Sequence, residues 1–87
     1  MMRNNRAYNS IKDIVQAGLV LSATNFDDNQ FNIWFIYSST ELDRISKNIN
    51  PSIYTNYLRL TILVSSSTAS QKLNACLIYL IEVMKSL

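Results

Sequence analysis

The stretch QFNIWFIYSS, residues 30–39, decides the fold. Read with a period of two, it is a strand with apolar residues on both sides. Phe31, Ile33, Phe35 and Tyr37 fall on one face and Trp34 and Ile36 on the other. Such a strand needs cover on both faces, and a chain of 87 residues has few elements to supply it.

Upstream, residues 25–29 (NFDDN) carry turn chemistry, because Asn and Asp side chains bond their own backbone and tolerate positive φ. Before them Leu19, Leu21 and Ala23 alternate with Val20, Ser22 and Thr24, so residues 18–39 read as a β-hairpin. Gly18, the single glycine, then reads as the residue just past the end of a short helix over about 9–17. That helix opens on the capping-box spacing Ser10–Asp13 and presents Ile11, Ile14 and Val15 on one face. The competing reading runs one helix on to Ala23 and accepts about 1 kcal/mol for an internal glycine. Residues 1–7 read as a flexible tail.

Downstream, Thr40 and Asp43 form a second capping-box spacing ahead of Leu42, Ile45 and Ile49, with Lys47 near the helix end. Pro51 closes this helix from outside and biases Asn50 to an extended conformation. In TNYLRLTILVSSS, residues 55–67, Leu58, Leu60, Ile62 and Val64 alternate with Tyr57, Arg59, Thr61 and Leu63, a strand pattern. Thr68 and Gln71 then cap a long helix over about 69–86. Its stripe is Leu73, Cys76, Leu77, Leu80, Ile81, Met84 and Leu87, while Ile78, Tyr79 and Val83 widen the apolar arc. The expectation is one α+β domain over 1–87, in the order α-β-β-α-β-α. It has a three-stranded sheet, helices packed mainly on one face, and a long C-terminal helix. This order of elements is similar to that of small dimeric secretion chaperones, a likeness without a shared motif that implies a self-assembling dimer.

Composition excludes much chemistry. Without histidine there is no Ser-His-Asp or Cys-His pair, and the commonest metal ligand is missing. One cysteine cannot build a zinc set, and one glycine cannot build a P-loop or a dinucleotide fingerprint. Asp27 and Asp28 read as solvated turn residues, since the spacing and glycine of a calcium loop are absent. The expectation is a non-enzyme with no metal and no cofactor. Cys76, in an apolar run, reads as a small buried hydrophobe, and the lack of a second cysteine points to a reducing compartment. No run reaches the ~18 apolar residues of a membrane span, and MMRNNRAYNS has no secretory apolar core. A soluble, cytoplasmic protein with no membrane partner is expected.

What remains is apolar surface. The chain is 48% hydrophobic but only 16% charged, against about 25% in typical domains, which favours a protein partner. If helices cover one sheet face, the other presents Val20, Trp34, Ile36, Tyr57, Arg59, Thr61 and Leu63. From these, Trp34, Ile36, Tyr57, Arg59 and Leu63 are the candidate partner-binding residues, because Trp, Tyr and Arg are enriched at hot spots. The competing reading folds the N-terminal helix over this face and makes Trp34 core. Leu77, Tyr79, Leu80, Ile81 and Met84 are the candidate self-association residues of a homodimer. The leading functional expectation is a non-catalytic module that occludes or scaffolds another protein. Asn, Ile and Tyr have AT-rich codons, which associates the gene with an AT-rich genome or a mobile element, and inhibitor or immunity-type proteins of mobile elements fit the size and the absence of chemistry. The alternatives are a self-assembling, chaperone-like dimer and a small nucleic-acid binder. The net charge of +2, scattered over the chain, favours the last least.

Overall fold

The computed structural model of the chain describes residues 5–87. It contains four helices, α1 (Asn5–Ser22), α2 (Asp28–Ile49), α3 (Ser52–Leu63) and α4 (Ala69–Ser86), and no strand among the described residues. The expected α+β class, its three-stranded sheet and its α-β-β-α-β-α order are thereby corrected to an all-α fold.

The decisive stretch is helical because of what precedes it. Asp27, extended at φ −116° and ψ −178°, caps α2: its carboxylate accepts the Gln30 N–H at 2.9 Å, and Gln30 Oε1 accepts the Asp27 N–H at 3.0 Å. This is a reciprocal capping box, formed by one residue that the sequence assigns to a hairpin turn and one that it assigns to the start of a strand. Once started, α2 buries Phe31, Trp34, Ser38, Leu42 and Ile45, at intervals of three and four, while Ile33 and Ile36 are each 64% exposed. A period of two therefore mixes core and surface residues; a period of 3.6 separates them. The Thr40–Asp43 spacing lies inside the helix. Ser38 and Ser39 donate to the carbonyls of Phe35 and Ile36 one turn back, so their hydroxyls are satisfied within the helix.

Gly18 likewise does not end α1. The helix runs through it to Ser22, and no described residue has positive φ. The glycine is needed for close approach: a Cβ at position 18 would stand 2.7 Å from Leu77 Cδ2 and 2.9 Å from Trp34 Cζ2. Residues 5–7 belong to α1, and Ala7 is buried, so the expected tail does not include them; residues 1–4 lie outside the described residues.

At the next junction Asn50 is extended (φ −158°, ψ 109°), as the proline rule requires, and its Oδ1 accepts the Ser52 N–H at 3.0 Å. Pro51 itself is already in the right-handed helical region, so it ends α2 and starts α3. The expected strand at 57–64 is therefore helix. Its inner side runs from half-buried Ile53 through fully buried Tyr57 to half-buried Leu60 and Val64, a helical stripe overlapping the alternation, and Ile62 and Leu63 face solvent. α4 begins as expected, with Thr68 Oγ1 accepting from Gln71 N–H at 3.2 Å and Gln71 Oε1 accepting from Thr68 N–H at 3.0 Å.

The short connections at 23–27, 50–51 and 64–68 make successive helices antiparallel, giving an up-down-up-down bundle of 40 × 23 × 18 Å. α1 and α3 flank α2 and α4 on opposite sides, and α2 meets α4 across the centre. Rings form a chain through this centre: Trp34, Phe31, Phe35, Tyr57 and Tyr79, with successive centroids 5.5–6.1 Å apart.

Candidate interaction face

The second half of α1 and the first half of α2 present an outward face of unusual composition. On α1 the buried line Ile11, Ile14, Gly18 leaves Ala17 and Val20 outside, with Val20 69% exposed. On α2 the buried pair Phe31 and Trp34 leaves Ile33, Ile36 and Tyr37 outside. Between the two helices lies an open groove of about 560 Å³. Trp34 forms its floor, and Ala17, Val20, Leu21, Ile33 and Tyr37 form its walls. Thr24, Asn25 and Gln30 add uncharged polar groups at one end. Ile36 lies about 200° round α2 from Trp34, so it projects away from the core beside the groove rather than into it.

The face carries no formal charge. No acidic or basic residue lies between Asp13 and Asp27 or between Asp28 and Glu41. Of the flanking acids, Asp27 caps α2, Asp28 stands 3.5 Å from Lys72 Nζ, and Glu41 pairs with Arg44 at 2.6 Å. Lys72 also sits 5.5 Å from the centre of the Phe31 ring, which ties α4 to the start of α2. Asp27 and Asp28 therefore have structural roles, and no group of three His, Cys, Asp or Glu among the described residues is placed to hold a metal ion.

The residues expected to bind a partner do not share a face. Trp34 is 5% exposed and its indole Nε1 donates to the Ile14 carbonyl at 3.1 Å, a contact supplied by the N-terminal helix. Tyr57 is fully buried, with its hydroxyl 2.8 Å from Ser38 Oγ. Ile36 is exposed on α2, whereas Arg59 and Leu63 are exposed on α3. Of the self-association set, Leu77 and Leu80 are core, Tyr79 stacks on Tyr57 and donates to the Ile53 carbonyl at 2.8 Å, and Ile81 and Met84 are half-buried. The wide arc of α4 follows from its position, since it packs against all three other helices. Sequence reasoning placed Ile33 on the covered side. The signal that would have found it is the pair of uncharged segments, 14–26 and 29–40, meeting at one capped turn.

The interior offers little chemistry. Burial pushes the Cys76 thiol above its ordinary range, with a smaller opposing effect from the Tyr57 hydroxyl, the wrong direction for a nucleophile. Burial also pushes the Tyr57 hydroxyl far up; neighbouring Cys76 adds to this, and the Ser38 bond opposes it. Among the described residues, no helix is long and apolar enough to cross a membrane.

No protein-family model matches the chain, and no curated protein or solved structure matches it either.

Proposed function

We propose that this chain is a non-catalytic protein-binding module that docks another polypeptide on the outer face of α1 and α2. The observation that carries this reading is the combination of Val20, Ile33 and Tyr37, exposed around one groove, and Ile36, exposed further round α2, with no formal charge on the helical segments that bear them. Exposed apolar clusters of this kind are costly to solubility and mark interaction sites in small domains. The buried, protonated state of Cys76 and Tyr57 supports the non-catalytic part of the reading.

A nucleic-acid role has less support. The basic residues of α2 are matched by acids one turn earlier, Arg44 by Glu41 and Lys47 by Asp43 at 3.7 Å, so they add little net positive surface. The test is retention of polypeptides from nuclease-treated lysate of the source cells by tagged full chain, with Ile36→Glu as the comparison. A polypeptide held by the wild type and lost by a variant of unchanged circular dichroism supports docking on this face. Equal retention by both, or none by either, overturns it.

A further inference from the structure

We infer that the docked polypeptide is an amphipathic helix of another protein, apolar over two turns and carrying carboxylates about three turns further along. The inference rests on the docking reading above and names the partner's chemistry. Its basis is that the seam between α1 and α2 holds two recesses of opposite character. The groove over Trp34, about 560 Å³, is walled by apolar side chains. Further along the same pair of helices lies a second cleft of about 100 Å³, with buried Ala7 and Ile45 beneath it and exposed Arg6, Arg44 and Asn48 around it.

Helix geometry places both recesses on one line. Arg6 and Ala17 are eleven residues apart on α1, and Ile33 and Arg44 are eleven apart on α2. Eleven residues make about three turns, so each pair shares a face, with its members about 16 Å apart along the axis. On α1 the exposed residues Arg6, Asp13, Ala17 and Val20 are separated by seven, four and three positions; on α2 Ile33, Tyr37, Arg44 and Asn48 are separated by four, seven and four. Side chains at that spacing leave a straight channel, which a third helix fills by the packing used between near-parallel helices.

Charge sets the order of residues on the partner. Arg6 meets no acid among the described residues. Arg44 gives one nitrogen to Glu41 at 2.6 Å and keeps further N–H donors for a second carboxylate. The cleft thus holds one uncompensated positive charge, with the Asn48 amide beside it and room for a carboxylate. Asp13, exposed between the two recesses, repels an acid at the middle of the partner. A complementary helix is therefore apolar where it crosses Val20 and Ile33, free of acids beside Asp13, and acidic beside Arg6. An anionic single-chain lipid would match both ends, but its apolar tail would have to lie against the Asp13 carboxylate.

The test uses the purified full chain and a fluorescent peptide of about eighteen residues, with leucines over its first two turns and two glutamates about three turns further on. One control peptide carries lysines in place of the glutamates, and another has the same residues in scrambled order. Binding is read by fluorescence anisotropy at low salt. The expected result is that the glutamate peptide binds at least about ten-fold tighter than either control. Arg6→Glu combined with Arg44→Glu reverses the preference towards the lysine peptide. Ile33→Glu weakens both patterned peptides, and Leu63→Glu, on α3, changes neither; circular dichroism verifies that each variant is folded. Equal binding of the three peptides, a preference that survives reversal of Arg6 and Arg44, or no binding at all overturns the inference. So does displacement of the peptide by vesicles of anionic phospholipid, or a wild-type dimer that is lost in Ile33→Glu, since these give the seam to a lipid or to a second copy. If the peptides fail but the lysate experiment separates wild type from Ile36→Glu, docking stands with a partner of other chemistry. If both experiments fail, both readings fall.

Discussion

Replacing Gly18 with alanine tests the packing on which the whole bundle depends. In an exposed helix this change stabilises by about 1 kcal/mol, because glycine loses more backbone freedom on folding. Here the added methyl would lie 2.7 Å from Leu77 Cδ2 and 2.9–3.0 Å from the Trp34 ring. The leucine methyl is the end of a rotatable side chain, but it sits in the core. The indole is held by its bond to the Ile14 carbonyl on the same helix that carries Gly18. Overpacking of this kind costs about 1–3 kcal/mol, and disturbing the indole bond adds about 1 kcal/mol. After the gain in helix propensity, a net loss near 2 kcal/mol remains. For a domain of this size each kcal/mol moves Tm by about 4–8 °C, so Gly18→Ala should melt roughly 8–16 °C below wild type. The assay is thermal and urea unfolding followed by far-ultraviolet circular dichroism and by the fluorescence of Trp34, the single tryptophan. Ala17→Gly, on the outward side of the same turn, should also destabilise, by about 1 kcal/mol, although it is the opposite substitution. Combined with Leu77→Ala, which alone costs about 2–5 kcal/mol, Gly18→Ala should cost less than the sum, because the atom it strikes is gone. A Gly18→Ala protein as stable as wild type, or strict additivity in the double variant, would refute the reasoning.

Three further outcomes are expected. Trp34→Glu should unfold the chain rather than yield a folded, binding-deficient protein, because it buries an unpaired carboxylate and removes the Ile14 contact; a native circular dichroism spectrum would contradict this. Asp27→Ala should cost about 0.5–2 kcal/mol by removing the α2 cap, with Asp27→Ser recovering most of it in urea titrations. Alkaline pH should destabilise the fold: the protonated forms of Tyr57 and Cys76 are favoured by folding, so their contribution is intact below about pH 9 and is lost as pH rises above the unfolded values near 9 and 10. Tyr57→Phe should show a shallower fall over that range by up to about 1.4 kcal/mol per pH unit, and parallel curves would exclude Tyr57 as the source.

The sequence showed α4 clearly because two independent signals agree there: a Thr68–Gln71 box and a stripe that includes Leu73, Cys76, Leu77 and Leu80. The break at Asn50–Pro51 is legible for a local steric reason, the clash of the proline ring with a helical Asn50. Asp27–Gln30 carries the same capping signal as Thr68–Gln71, but Asn25, Asp28 and Asn29 surround it and are equally good turn residues, so local chemistry alone did not choose between them. Gly18 leaves two readings, a helix end near residue 17 or one helix on to Ala23, because a glycine's two uses, positive φ and close approach, look alike in a sequence, and the structure supports the second. Only the position of Leu77, far along the chain, separates them. The alternation at 58–60–62–64 puts Tyr57 outside because it overlaps a helical stripe at 53–57–60–64, the two patterns sharing Leu60 and Val64.

The misreading of residues 30–39 and the candidate interaction face have one physical cause. A surface helix that buries one stripe normally fills its other positions with charged residues, and that contrast makes the 3.6-residue period visible. In α2 the outward positions Ile33, Ile36 and Tyr37 are as apolar as the buried positions Phe31 and Trp34, so the contrast vanishes and a period of two fits equally well. Further along the same helix, where Asp43, Arg44 and Lys47 occupy outward positions, the period was legible and the helix was expected. Loss of helical contrast over one half of a helix that is otherwise well patterned therefore locates the surplus apolar surface. In this chain that half meets the uncharged end of α1 through a capped turn, so two locally ambiguous segments become one continuous face. Restoring the contrast with Ile33→Lys and Ile36→Glu should leave the bundle folded, since neither side chain is in the core. It should also make α2 readable as a helix from sequence, while removing the surface on which the proposed function depends.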